Sequence, residues 1–191
     1  VANPGCYPTS AILALAPLLR ESLIDSNGIV VDSKSGVSGG GRTPKPQFHF
    51  PEANESLMAY GVGKHRHTPE IDQVLGDAAG RRVEVVFTPH LIPMDRGILT
   101  TAYAAIDEGM TAERLMDALH AAYDDEPFVR VVADLPRTRD VAHTNFCNVT
   151  ARVFRGRAII VSVIDNLIKG AAGAAVQNFN VMHGFPETTA L

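Results

Sequence analysis

Tryptophan is absent and cysteine nearly so: the 191-residue chain carries only Cys6 and Cys147. Far apart and outside any Cys-x-x-Cys pair, they suit neither a zinc ribbon nor a disulfide framework, so a reducing, cytoplasmic setting is expected. No apolar run approaches the ~20 residues of a membrane-spanning helix, and no secretory signal is recognisable, so no membrane partner is expected. Lysine and arginine form no basic stripe, and the formal net charge is −4, which argues against nucleic acid as a partner. Internal repeats are missing too, and the only low-complexity stretch is the glycine cluster Gly36 to Gly41. What remains, 46% hydrophobic and 20% charged residues, is the composition of a globular domain, or a domain and a half, large enough to bury a core. Because the sequence opens on Val1 instead of methionine, it is expected to be a piece of a longer protein.

The chemistry starts at the front. Asn3-Pro4-Gly5-Cys6-Tyr7-Pro8-Thr9 sets a thiol directly before the apolar run Ala11 to Leu19. A helix there, from Thr9 to about Leu23 with Ile12, Leu15, Leu19 and Leu23 inward, puts Cys6 at its N-terminus. Free N–H groups and the positive end of the helix dipole would lower the thiol pKa and hold an oxyanion. A lone cysteine before an apolar helix also reads as an inert buried thiol.

Further along, Ile29-Val30-Val31 reads as a buried strand running towards Ser35. The loop Gly36-Val37-Ser38-Gly39-Gly40-Gly41-Arg42 follows, and Ser38 and Arg42 beside its N–H groups would suit an anion nest; a flexible surface loop is the alternative. It lacks the G-x-G-x-x-G spacing of a dinucleotide fingerprint. His65-Arg66-His67 approaches a second helix, started by Thr68 and Pro69 and running to about Ala78. In an extended approach the two histidines share a face, with Arg66 opposed. One neutral imidazole near Cys6 would move protons; a solvated basic turn is the alternative, and no third ligand is spaced for a metal.

Strands are expected over Arg82 to Thr88 and Ile98 to Ile106, interrupted by Pro89 to Gly97. In that interruption Arg96 suits either a bidentate grip on a carboxylate or a loop salt bridge. A helix from Thr111 to Tyr123, a strand from Phe128 to Val132, and a hairpin of Asn145 to Phe154 with Ala158 to Ile164 complete the sheet elements, with Cys147 in the core. Asp165-Asn166-Leu167-Ile168-Lys169-Gly170 then opens a small-residue helix, Ala171 to Phe179, whose face would let another backbone approach closely.

Read together, NPGCYPT, SGVSGGGR, HRHTPEI, FTPHLIPMDRGI and DNLIKGAAGAAVQNFN resemble, in this order, the N-acetyl-γ-glutamyl-phosphate reductase family of arginine biosynthesis. The resemblance runs from Asn3 to about Glu187 and covers only the later part of such proteins; their Rossmann NADP-binding half has no counterpart here. It implies an α+β fold, a mixed and largely antiparallel sheet with helices on one face, like the catalytic domain of glyceraldehyde-3-phosphate dehydrogenases. Residues 1–165 would form the catalytic, substrate and dimerisation domain, and 166–191 a helix and tail docking on the absent nucleotide domain. The implied reaction is NADPH-dependent reduction of a small-molecule acyl phosphate to a semialdehyde through a Cys6 thioester, in a homo-oligomer, dimer or tetramer. Carried over by motif, His67 and secondarily His65 are the acid/base residues, with Ser38, Arg42, Arg66, Glu70 and Arg96 at the substrate. Asn166 and, more weakly, Lys169 would meet the cofactor, which is mainly bound elsewhere, and no metal is implied. Lysine-pathway aminoadipyl-phosphate reductases and aspartate-semialdehyde dehydrogenases share this chemistry, HRHTPEI favouring the first over the second. A reading of another class is a non-catalytic pairing fragment without its nucleotide domain.

Overall fold

A computed structural model describes all residues from Val1 to Leu191. Its frame is a seven-stranded sheet in the order β2-β3-β1-β4-β7-β6-β5. The strands are β1 (Val30–Gly36), β2 (Met58–Ala59), β3 (Val86–Ile92), β4 (Ile98–Ala105), β5 (Val129–Val131), β6 (Cys147–Phe154) and β7 (Arg157–Ile164). Only β1 with β3 and β5 with β6 run parallel; the other neighbours are antiparallel, so the sheet is mixed and largely antiparallel as expected. The helices are α1 (Cys6–Arg20), α2 (Phe50–Ala53), α3 (Thr68–Ala79), α4 (Ala112–Tyr123) and α5 (Gly173–His183).

Strand alternation divides the sheet into two unlike faces. Val31, Ala102, Ile160 and Ala151 lie side by side in register, and all four belong to the core that also holds Ala11, Leu15 and Leu18 of α1, Ile71 and Leu75 of α3, and Leu115 and Leu119 of α4. Between α1 and the sheet a buried hydroxyl network ties Ser10 to Thr100 (2.9 Å) and Ser162 (2.7 Å), with Ser33 on Thr100 (2.8 Å). Each hydroxyl has a partner, so the polar layer under α1 fixes the helix on the sheet without an unpaired group. The opposite face, which includes Val30, Asp32, Lys34, Tyr103 and Ile159, contributes nothing to that core.

Several boundaries differ from expectation. The first helix begins at Cys6, ahead of Thr9, because Pro8 falls in the first turn where its missing N–H has no partner to lose; the first bond is Thr9 N to Gly5 O (2.9 Å). Pro17 does not end it either. The carbonyl that Pro17 leaves without an N–H, that of Leu13, accepts the Tyr123 hydroxyl of α4 at 2.8 Å instead. The helix stops at Arg20, short of Leu23.

Strand β3 starts at Val86, not Arg82, because its partner β1 begins opposite at Val30, and it continues through Pro89 to Ile92, where a break was expected. Pro89 is tolerated because its carbonyl, which accepts Tyr60 N at 3.0 Å, faces β2, so its missing N–H falls on that same side. There β2 pairs only with His90 and Leu91, and no ladder bond is lost. The last helix is preceded by a π-helical turn, Ile168–Ala172, and reaches His183, beyond Phe179.

Candidate active site

Gly5 is the N-cap of α1, in extended conformation, so Cys6 is the first helical residue. A side chain at position 5 would strike the His67 imidazole: a Cβ there would lie 2.6 Å from its Nε2. The glycine therefore lets His67 approach the backbone beside the thiol. Glu70, in the first turn of α3, accepts the Gly5 N–H at 2.9 Å, joining the two helix N-termini where a carboxylate suits both dipoles. From the other side comes Gly170 of the π-turn, whose added Cβ would lie 2.7 Å from Cys6 Cβ.

His65 and His67 lie together, with ring centroids 4.9 Å apart and both edge-on against Tyr7, at 5.6 and 6.1 Å, but through a turn and not an extended approach. His67 is helical in backbone, and Arg66, expected on the opposed side, borders the same cavities. His65 is also packed against Tyr60 and Phe87. Its Nδ1 accepts the His67 backbone N–H at 3.1 Å, which leaves the ring proton of neutral His65 on Nε2. Tyr60 donates to the Tyr7 hydroxyl (3.0 Å), and Tyr7 donates to the His90 carbonyl (3.1 Å). The His67 Nδ1 is buried without a hydrogen-bond partner, free of any structural bond.

Cys6, Gly39, Arg66 and His67 border two adjoining cavities. The larger, about 550 Å³, is further lined by Gly40, Lys45, Phe48, Tyr60, Lys64 and His65. The smaller, about 500 Å³, is closed by Glu70, Asn166 and Gly170. The thiol thus stands at a junction between a cation-rich chamber and one walled by backbone and amide.

Electrostatics correct one expectation. Burial raises the Cys6 pKa above the ordinary thiol value, outweighing the N–H groups of Tyr7 and Cys6 and the charge of Arg66, which pull it down. Burial, then His65 and Arg66, lower His67 to about 4, and burial with Arg66 lowers His65. At neutral pH the resting pair is a thiol beside a neutral imidazole, so the imidazole is available as a base.

The remaining expected site residues divide. Ser38 and Asn166 meet: Asn166 Nδ2 donates to Ser38 Oγ (2.9 Å), Asn166 Oδ1 accepts Gly97 N (2.7 Å), and Ser38 Oγ donates to Asp95 O (2.5 Å). Both side chains brace the glycine loop against the 94–97 turn, and Asn166 also reaches the smaller cavity. Arg42 is exposed and borders neither chamber. Arg96 turns to Asp95 (3.4 Å) and the buried Asp165 (3.7 Å), away from the thiol. Lys169 is buried, bonded to Gln177 Oε1 (2.8 Å) and stacked on Phe128, outside both chambers; its pKa is lowered by burial. Cys147 is wholly buried in the core and its pKa is pushed up to about 12 by burial. No group of three or more His, Cys, Asp or Glu side chains is arranged to hold a metal ion.

Sequence reasoning missed Lys45 and Phe48, which come from a proline-broken segment, and Tyr60 and Lys64, which flank the glycine turn Gly61 to Gly63; neither segment has periodicity. It also missed Asp165, whose carboxylate accepts the N–H groups of His143, Leu167 and Ile168 at 2.7, 2.8 and 2.9 Å. An aspartate directly after a strand and before a helix was the available signal.

Comparison with known proteins gives concordant matches. The family model for the semialdehyde dehydrogenase dimerisation domain matches residues 6–166. A protein named N-acetyl-gamma-glutamyl-phosphate reductase from Rhodopirellula baltica is 54% identical over 198 residues, covering 100% of this chain and 57% of its own length. One of the same name from Staphylococcus aureus is 46% identical, with 100% and 57% covered. The chain therefore spans little more than half the length of the curated relatives it matches. Among solved structures, aspartate semialdehyde dehydrogenase II from Vibrio cholerae superposes with a TM-score of 0.74 at 19% identity, over 97% of this chain and 63% of that one. A probable aspartate-semialdehyde dehydrogenase from Pseudomonas aeruginosa does so with a TM-score of 0.73 at 19% identity, over 95% and 62%. These two share the fold.

Proposed function

The chain belongs to the semialdehyde dehydrogenase dimerisation-domain family, and on that premise we propose that it is the catalytic and subunit-pairing part of an N-acetyl-γ-glutamyl-phosphate reductase of arginine biosynthesis. The observation that carries the reading is the junction at Gly5: a thiol on the first residue of α1 with an uncharged imidazole against the adjoining backbone. His67 takes the thiol proton as Cys6 Sγ attacks the acyl carbon of N-acetylglutamyl phosphate. The C–O bond to phosphate breaks, inorganic phosphate leaves with the bonding pair, and a Cys6 thioester remains. The N–H groups at the start of α1 face the developing oxyanion, and Lys45, Lys64 and Arg66 face the departing phosphate.

NADPH, when bound, supplies the hydride that reduces the thioester level to the aldehyde. Of this chain's residues, Asn166 fits the reacting end of such a cofactor: it borders the smaller chamber, and its Nδ2 keeps a second proton after serving Ser38. Lys169 does not fit, being spent on Gln177. Nothing near Cys6 forms a pyrophosphate cradle, so the remainder of the nucleotide is assigned to a domain outside these residues. Residues 166–191, where Phe179, Val181, Met182 and Phe185 are exposed, are assigned as its docking surface, and residues 1–165 as the catalytic unit.

Subunit pairing is assigned to the helix-free face of the sheet, giving a homodimer or a tetramer built from it. Two free thiols and thiol chemistry support a reducing, cytoplasmic setting for the working protein. No helix is long and apolar enough to cross a membrane.

Acylation needs no nicotinamide and therefore tests the reading directly. Intact mass after brief exposure to N-acetylglutamyl phosphate should gain one N-acetylglutamyl group on Cys6, not Cys147, with phosphate released, and Cys6→Ser should gain none. Aspartyl phosphate and the one-carbon-longer acyl phosphate serve as competitors, since a single methylene is worth only about 1–3 kcal/mol of discrimination. Failure of every acyl phosphate to label the folded chain and the longer protein carrying it would overturn the proposal.

A further inference from the structure

Along the helix-free face, the row Val86, Val30, Tyr103 and Ile159 is apolar apart from one hydroxyl, and the next row holds Thr88, Asp32, Thr101 and Val161. The row after that holds His90, Lys34 and Leu99. Across β3, β1 and β4 these rows place one acidic, one basic and one imidazole side chain together, while the further cations of the face, Arg152 opposite Ile159 and Arg130 opposite Asn148, stand on the β6 and β5 side. Lys34 Nζ lies 2.8 Å and His90 Nδ1 3.1 Å from the same oxygen, Asp32 Oδ1. Neither Asp32 Oδ1 nor His90 Nδ1 has a partner of hydrogen-bonding geometry, and the second Asp32 oxygen has none within the chain. The Asp32 and Lys34 side chains remain 33% and 31% exposed. A lone chain leaves that remainder to water, whereas a covered face would have to satisfy it from the other side.

Resting on the sheet-face pairing proposed above, we infer that Asp32 and Lys34 fix the register of two copies across this face. In an isologous interface, if residue i of one copy meets j of the other, j also meets i. Asp32 and Lys34 are two positions apart on β1 and point the same way, so their Cα atoms stand ~7 Å apart along the strand while their charged ends meet. When β1 of a second copy crosses antiparallel with the two-fold axis at the level of Ser33, each Asp32 meets the other copy's Lys34. Two opposite-charge contacts form at once, closing the open Asp32 oxygen, while any slip along the strand opposes like charges. Apolar area from Val30, Val86, Tyr103 and Ile159 supplies attraction without direction, and the charged pair supplies direction.

Charge reversal tests this by sedimentation velocity across a concentration series, with folding checked by circular dichroism and melting. Asp32→Lys and Lys34→Asp should each weaken the dimer on the order of 100-fold, at roughly tenfold for each of two reversed contacts. The double variant Asp32→Lys/Lys34→Asp restores both contacts and should recover the parent dissociation constant to within about fivefold. A single variant that pairs as tightly as the parent, or a double variant no better than the weaker single one, overturns the inference. Tyr103→Arg separates the two levels of the argument: if it abolishes pairing while the charge variants do not, the face stands and the register fails. If it leaves pairing intact, the sheet-face reading itself fails.

Discussion

Gly170→Ala should damage the site through one methyl group. The added Cβ would lie 2.7 Å from Cys6 Cβ, 3.2 Å from Cys6 Cα and 3.4 Å from Asp165 O. Carbon atoms rest at about 3.5–4 Å, so the overlap with Cys6 Cβ is roughly 1 Å, and no side-chain rotation relieves it because both atoms are fixed to backbone. Either the N-terminus of α1 or the π-turn must move by about that amount. The turn is held by Gly170 N to Asp165 O (2.9 Å) and by the Asp165 carboxylate on Leu167 and Ile168. On the other side, α1 is fixed by the Ser10 hydroxyl network. Overpacking of this kind costs about 1–3 kcal/mol, which for a domain of this size lowers the melting temperature by roughly 2–10 °C. Misplacing a nucleophile by ~1 Å costs on the order of 100-fold in rate, so Cys6 acylation should slow by about that factor. Gly156→Ala is the contrast: unlike Gly170 it has positive φ (70°), which strains an alanine, but nothing lies within 4 Å of its added Cβ. It should lose stability without loss of thiol reactivity. A Gly170→Ala protein that melts and acylates like the parent would refute the close-contact argument.

Tyr123→Phe removes the hydroxyl that serves the Leu13 carbonyl left without a partner by Pro17; stability should fall by about 1–2 kcal/mol in urea titration, whereas adding Pro17→Ala should recover most of it. His67, held down at about 4 from 6.5, binds fewer protons folded than unfolded between those values. Its contribution is therefore present above pH 6.5 and lost as pH falls towards 4, and His67→Gln should flatten that limb of the melting-temperature profile. Cys147, raised to about 12 from 9, works in the opposite sense: stability is intact below pH 9 and declines as pH climbs towards 12. Cys147→Ala should remove this alkaline decline, and a decline of unchanged slope would assign it to other groups.

Legibility in the sequence followed from how local each signal was. Thr111 capping α4, the Arg155-Gly156 hairpin turn and the alternation along β4 are set by neighbouring residues, and the structure keeps them within a residue or two. The start of helix α1 was set too late because Pro8 looks like a breaker locally, and its end was set too far, at Leu23 instead of Arg20; the partner that serves the carbonyl freed by Pro17, Tyr123, is remote in the chain. Pro89 likewise reads as the end of a strand until the edge it faces is known to be nearly bare. At the site, Cys6 and the two histidines were legible as motifs, but Arg96 and Lys169 were not resolved from their types alone. A guanidinium directly after an aspartate in sequence gives no hint that a second, buried aspartate waits at the end of β7.

Arg66 is where the site's charges act against one another. Its guanidinium lowers the Cys6 pKa, favouring the thiolate, and also lowers His67, opposing the imidazolium that would receive the proton. With the arginine uncompensated, transfer from thiol to imidazole is helped at one end and hindered at the other. A bound oxyanion changes that balance: burial leads both shifts, and neutralising Arg66 removes its opposition to the imidazolium while withdrawing its help to the thiolate. Occupancy of the cationic chamber should then raise the basicity of His67 only when an acyl phosphate is present to be attacked. The prediction is that the His67 ring, followed by NMR in Cys6→Ser protein, titrates at higher pH in saturating inorganic phosphate than in its absence. Arg66→Gln should start from the higher value and respond no further. An unmoved His67 titration, with phosphate binding verified by calorimetry, would mean that the arginine only holds substrate and takes no part in timing the proton transfer.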